Sequence, residues 1–236
     1  MEYSPILAVA TALFEVTVAV WALRGPGDRA VLRTTSAILL LLAGYQIAEV
    51  AICTDVQAAD FLPRVAFLIV TWLPPLGLVL IAQLHRPRST ALVAVGRSML
   101  AIGAGIAVWI LADRAFATAS VCSAVYARYT HAMPRFLAYS LFYWVGLLAM
   151  VLLAGYGVLT CRDLHRRSLL GHVLAGTVAF LVPSIVTSWF VPAARGALPS
   201  IMCHFAVLLA VALARMVHVL RRPAEEAERR SQVAAA

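Results

Sequence analysis

The chain has 236 residues, 63% of them hydrophobic and only 13% charged, against about 25% charged in an ordinary soluble domain. That composition excludes a soluble enzyme or binding module. The net charge of +8 comes entirely from arginine, because the sequence contains no lysine; retinal held as a Schiff base needs a lysine amine and is excluded, and no cofactor is expected.

A membrane-crossing helix needs roughly 20 mainly apolar residues. Seven such stretches are predicted, at Pro5–Leu23, Thr34–Cys53, Leu62–Leu84, Ala91–Ala112, Arg135–Thr160, Leu169–Phe190 and Leu198–Leu220. The expected fold is an all-α, polytopic seven-transmembrane bundle over residues 1–222, with a cytoplasmic tail at 223–236. Neither a positive leader nor a small-residue cleavage site flanks the first stretch, so it is read as a span and not as a signal peptide. Arg-Gly-Pro-Gly-Asp at 24–28 and His-Arg-Pro-Arg at 85–88 punctuate the first and third spans. Pro74 and Pro75 lie mid-span in the third helix, where each removes an amide donor, so a kink is predicted there and again at Pro183. These kinks either only shape the bundle or open a cavity between the third and sixth helices. The 113–134 connection holds Cys122, Tyr126, Tyr129 and His131. It is expected to be a lid over an external cavity, or a short interfacial helix with its tyrosines at headgroup level. No repeat relates the two halves, which disfavours an inverted-repeat transporter.

Arginine alternates between the connections. Fourteen of the nineteen follow the first, third, fifth and seventh spans, and only Arg64, Arg114, Arg128, Arg135 and Arg195 fall on the other side. By the positive-inside rule the N-terminus is outside and the C-terminus cytoplasmic. The basic charge is thus a topology signal, with some attraction to anionic lipid, and no nucleic-acid partner is expected. Arginine used to the exclusion of lysine, with abundant alanine, suggests a high-GC bacterial genome and a multi-pass protein of the bacterial plasma membrane.

Polar residues inside hydrocarbon are costly and mark candidate sites. Glu15 lies mid-way along the first span. Tyr45, Gln46 and Glu49 lie in the outer part of the second, and Cys203 and His204 in the outer part of the seventh. With helices one, two and seven adjacent in a closed ring, Glu15, Glu49 and His204 are expected to converge, and Glu49 and His204 to share one site. An outward-facing ligand pocket lined by Glu15, Tyr45, Gln46, Glu49, Trp72, Tyr139, Tyr143 and His204 is the candidate site; a hydrogen-bonded structural network is the plainer account of the same polar residues. Glu49, Cys53, His131, Cys203 and His204 are residue types that suit zinc, but no metal-binding spacing accompanies them, and no metal is expected. Cys53 and Cys122 both fall on the oxidising side and are candidates for a disulfide, while Cys161 is expected to be a free thiol.

Tyr45-Gln46-Ile47-Ala48-Glu49, Thr71-Trp72-Leu73-Pro74-Pro75 and Pro199-Ser200-Ile201-Met202-Cys203-His204-Phe205-Ala206 together resemble a bacterial family of seven-span membrane proteins that has no assigned activity. That family tends to carry an aromatic residue where His204 stands here. Gly44-Tyr45 to Glu49 followed by Pro74-Pro75 is also loosely similar to the seven-span sensor region at the front of some bacterial histidine kinases. The likeness implies sensing, with output through a separate signalling or membrane partner, since this chain reaches Ala236 without a kinase. Three functions are therefore expected in order: a sensory or apolar-ligand or lipid-binding protein, a membrane hydrolase with Glu49 or His204 as general base, and a non-catalytic subunit of a membrane complex.

Overall fold

The computed structural model describes residues 4–54, 61–85, 89–123, 127–131, 134–191 and 197–235. In chain order these form α1 (Ile6–Arg24), α2 (Arg29–Thr54), α3 (Leu62–Val70), α4 (Leu73–Leu84), α5 (Thr90–Ala112), β1 (Ala117–Cys122), β2 (Ala127–His131), α6 (Arg135–Thr160), α7 (Leu164–Phe190) and α8 (Leu198–Ala235). With α3 and α4 forming one interrupted span, seven helices are long and apolar enough to cross a membrane. The chain is an integral, multi-pass seven-helix protein. An outward apolar stripe on α6, Leu141, Val145, Leu148 and Leu152, is exposed at a spacing that lines one helical face; such a surface fits hydrocarbon.

The helices alternate in direction, so the bundle has two ends. Three helices start at the end that carries the C-terminal tail, and each has a side-chain cap. Asp28 Oδ1 accepts from the Ala30 amide at 3.0 Å ahead of α2, Ser89 accepts from Leu92 ahead of α5, and Asp163 accepts from His165 and Arg166 ahead of α7. These caps occupy amide donors that a helix start leaves unpaired. Gly27, at φ 131°, makes the reversal between α1 and α2, a conformation that a residue with a Cβ rarely adopts.

Helices α2 and α7 begin about one turn before the apolar stretches predicted for them, because backbone hydrogen bonding carries on through Arg29, Arg33, His165, Arg166 and Arg167. Helix α8 likewise passes Leu220 and Pro223 and continues to Ala235, so no break in the helix marks the boundary expected at 222. Of the residues named from sequence, Arg86, Arg88, Tyr126 and Arg195 lie outside those described.

The third span is the most buried, at 67% of its central window, against 22% for α5 and 28% for α6. It packs on α2, α5 and α6, while α8 packs on α1, α2 and α7. The predicted kink is here a two-residue break at Thr71 and Trp72. Pro74 and Pro75 cannot donate to the carbonyls of Val70 and Thr71, four residues back. The chain responds by tightening: the Trp72 amide donates to Ile69, three residues back, at 3.4 Å, and the Thr71 hydroxyl donates to the Phe67 carbonyl at 2.7 Å. Pro183, by contrast, stays inside α7 without interrupting it. Gly146 lets α6 approach this break closely; a Cβ there would meet Pro74 Cβ at 2.6 Å.

The described residues of the 113–134 connection are not helical. They form two antiparallel strands, with Ala117 opposite His131 and Cys122 opposite Ala127, and with a register irregularity between Thr118 and Ser120; this strand pair is the hairpin. The hairpin lies over one end of the bundle. A disulfide joins Cys122 to Cys53 at the end of α2, the Tyr129 and Tyr45 hydroxyls hydrogen-bond at 3.0 Å, and the Ala127 amide donates to Ser200 Oγ of α8 at 3.2 Å.

Candidate functional site

Beneath the hairpin lies a cavity of about 150 Å³. Its wall is mainly aromatic: Phe67 of α3, Phe136, Tyr139, Tyr143 and Trp144 of α6, and Phe180 of α7. Helix α8 closes one side with Leu198, Pro199, Met202 and Cys203. A smaller void of about 20 Å³ continues toward the bundle centre and shares Leu42, Leu73, Tyr143 and Phe180. Among the described residues, none of those lining it is Asp, Glu or Arg.

Phe67 organises the roof. Its ring makes edge contacts with Phe116, Tyr129, His131 and Tyr139 at centroid distances of 5.2–5.7 Å. Such edge-to-face pairs are worth about 0.5–1.5 kcal/mol each beyond the area they bury. The fold presents these residues from separate elements: period-two alternation puts Ala127 and Tyr129 on the buried face of β2, with His131 next in that register.

His131 stacks on Phe136 with ring centroids 3.7 Å apart. Its Nδ1 is buried and has no hydrogen-bond partner among the described residues. Burial pushes the imidazole down from 6.5 to about 4, so the ring is neutral at pH 7. The ring is part of the cavity wall.

Of the eight residues expected to line a pocket, the structure brings Tyr139 and Tyr143 to this cavity. Tyr45 is fully buried and is spent on Tyr129. Gln46 donates to the Cys203 carbonyl at 2.5 Å, fastening α2 to α8. Glu15 and Glu49 are completely buried, on α1 and α2. The Glu15 carboxylate oxygens have no hydrogen-bond partner among the described residues. Trp72 sits at the α3–α4 break, its ring 3.9 Å from where a Cβ on Gly103 of α5 would stand.

His204 departs from expectation. It is half-buried, its Nδ1 lies 2.8 Å from the Ser200 carbonyl one turn back, and among the described residues no ion pair joins it to Glu49. The helix explains this: successive side chains point about 100° apart, so with Cys203 turned into the bundle, His204 is turned to its side. Among the described residues no three His, Cys, Asp or Glu side chains are grouped to hold a metal ion.

Sequence reasoning passed over Phe67, Phe136, Trp144 and Phe180 and considered His131 only as a metal ligand. The signal for His131 was the alternation in Ala127-Arg128-Tyr129-Thr130-His131, which puts every second residue on one face.

Comparison with protein families, with curated proteins and with solved structures finds no match. The class is defined by fold and site alone: a seven-helix integral membrane protein whose one end is closed by a disulfide-fastened hairpin over an aromatic cavity.

Proposed function

We propose that the protein is a sensory or ligand-binding membrane protein that takes a small apolar molecule or lipid chain into the cavity beneath the hairpin. The observation that carries this reading is the cavity of about 150 Å³, whose described lining is aromatic and aliphatic with no Asp, Glu or Arg. An apolar void of that size stays dry and accepts a ring such as benzene, and pockets of this kind, with few polar groups, are the usual form of a binding site. Output passes to a separate signalling or membrane partner. Mass spectrometry of the protein released gently from native membranes tests the reading. A bound apolar molecule is expected in the wild type and lost from Ser140→Trp, which fills the cavity; wild-type protein free of any such molecule, and unable to take one up, overturns it.

The hairpin end is proposed to face the exterior and the tail the cytoplasm of a bacterial plasma membrane. Support comes from two independent features. Arg24, Arg29, Arg33, Arg162, Arg166 and Arg167 gather at the tail end, and the Cys53–Cys122 disulfide lies at the opposite end, where an oxidising compartment would preserve it.

A further inference from the structure

A single arginine stands where two hollows meet on the outer surface of the bundle. Arg97 lies about 10 Å along α5 from Thr90, on a helix whose central window is only 22% buried. It is exposed, and among the described residues it makes no ion pair and no hydrogen bond. An arginine at that depth in a membrane is costly unless its charge reaches the headgroup level. A helical side chain leans toward the N-terminus of its own helix, and α5 starts at the tail end, so Arg97 leans toward the nearer membrane surface. The first hollow, of about 300 Å³, lies between α4 and α5 beside the start of α2; Ala30, Val79, Gly96 and Leu100 line it together with Val93 and Arg97. The second, of about 430 Å³, follows α5 from Thr90 to Ser98 and again includes Val93 and Arg97.

We propose that this site binds one anionic phospholipid from the leaflet on the tail side, with its phosphate on Arg97 and its two acyl chains in the two hollows. The site is separate from the aromatic cavity, which lies at the other end of the bundle. Shape and charge both point to this class of ligand. A diacyl lipid carries two apolar chains and one phosphate; the protein offers two hollows with largely apolar surfaces and one shared cation. A guanidinium suits a phosphate because it can meet it with two parallel hydrogen bonds. Thr90 and Ser98 line the second hollow beside Arg97 and add hydroxyl donors. A net negative headgroup is favoured over a zwitterionic one, because a second exposed arginine stands near. Arg33 follows Ala30 by three residues, which makes the two neighbours on the surface of α2. Like Arg97, it has no carboxylate partner among the described residues. A headgroup ammonium would be set against both guanidinium groups.

The test is native mass spectrometry of the full-length protein, delipidated in detergent and titrated with dioleoyl phosphatidylglycerol or dioleoyl phosphatidylcholine. One phosphatidylglycerol is expected to bind about fivefold tighter than phosphatidylcholine, the attraction of a single arginine at a membrane surface. Arg97→Gln should abolish that preference. Val93→Trp, which fills both hollows and keeps the charge, should weaken the binding of both lipids. Arg162, an exposed residue of the α6–α7 connection at the same end, is the control: Arg162→Gln should leave the preference intact. A second measurement guards against a variant that fails to fold. Without lipid, Arg97→Gln should melt at the wild-type temperature; added phosphatidylglycerol should raise the melting temperature of the wild type and leave that of Arg97→Gln unmoved. Equal affinity for the two lipids, a preference that survives Arg97→Gln, or an equal loss in Arg162→Gln overturns the proposal, as does undiminished binding to Val93→Trp.

Discussion

The hydroxyls of Tyr45 and Tyr129, 84 residues apart in the chain, meet at 3.0 Å in a buried site. One belongs to the outer part of a membrane span and the other to the hairpin, so a polar contact joins the cover to the bundle from inside. Tyr129→Phe removes the partner of the buried Tyr45 hydroxyl and should lower stability by about 1–3 kcal/mol, and Tyr45→Phe should also destabilise by removing the same contact. The double variant should lose less than the sum of the two, because the same contact is removed in both. Thermal unfolding in detergent of the four proteins measures this; strict additivity would mean that the two hydroxyls do not interact.

The Cys53–Cys122 disulfide spans 69 residues. Its removal in Cys53→Ser/Cys122→Ser should cost about 2–5 kcal/mol, and reductant should lower the melting temperature of the wild type but not of that variant. In unreduced folded protein, alkylation should reach Cys161, which is partly accessible, well before the buried Cys203.

Protonation of His131 gives a pH dependence with a definite sign. Its folded value is about 4, against 6.5 ordinarily. The unfolded chain takes the proton first, so stability is full above pH 6.5, falls as pH drops from 6.5 to about 4, and levels off below. Because the ring is only partly enclosed, the loss is on the order of 1–2 kcal/mol. Melting curves from pH 7.5 to 3.5 should show this slope in the wild type and a shallower one in His131→Phe; parallel curves would contradict it.

Glycine substitutions separate close packing from open space. A Cβ on Gly146 would press on the Pro74 ring at 2.6 Å, and a proline held in a helix start cannot yield, so Gly146→Ala should destabilise by about 1–3 kcal/mol. A Cβ on Gly77 would run into the end of the flexible Met150 side chain, and Gly77→Ala should cost less. Gly105 and Gly155 have nothing within 4 Å; alanine there should be neutral or stabilise by up to about 1 kcal/mol. Unfolding of the four variants in one detergent gives the ranking.

The orientation is open to a direct check. A reporter that works only outside the cytoplasm, fused after Ala236, should stay inactive, and one that folds only in the cytoplasm should be active.

The spans were legible because an apolar run of about 20 residues carries its meaning locally, and the break at Thr71 and Trp72 because proline acts on the carbonyls four residues before it. The hairpin was not. Its strands, Ala-Thr-Ala-Ser-Val-Cys and Ala-Arg-Tyr-Thr-His, contain much alanine and serine, and what holds them together is contact with distant residues: Tyr45, Cys53, Phe67 and Ser200. The cavity was hidden for a related reason. Polarity in an apolar sequence drew attention to Glu15, Gln46 and Glu49, which the fold commits to the packing of α1, α2 and α8, while the wall consists of ordinary aromatic and aliphatic residues that become a site only once six helices and a strand bring them together.

Helix α8 belongs to both ends of the molecule. Leu198, Pro199, Met202 and Cys203 form part of the cavity wall. Near the other end, the Arg221 guanidinium donates to the Trp21 and Ala22 carbonyls of α1 and lies over the Trp21 ring at 4.1 Å. That clasp fixes α8 to α1 at the end opposite the cavity. At 1.5 Å per residue, about 35 Å of helix separates Leu198 from Arg221, so this one helix carries contacts that close the cavity and contacts that tie the bundle together on its far side.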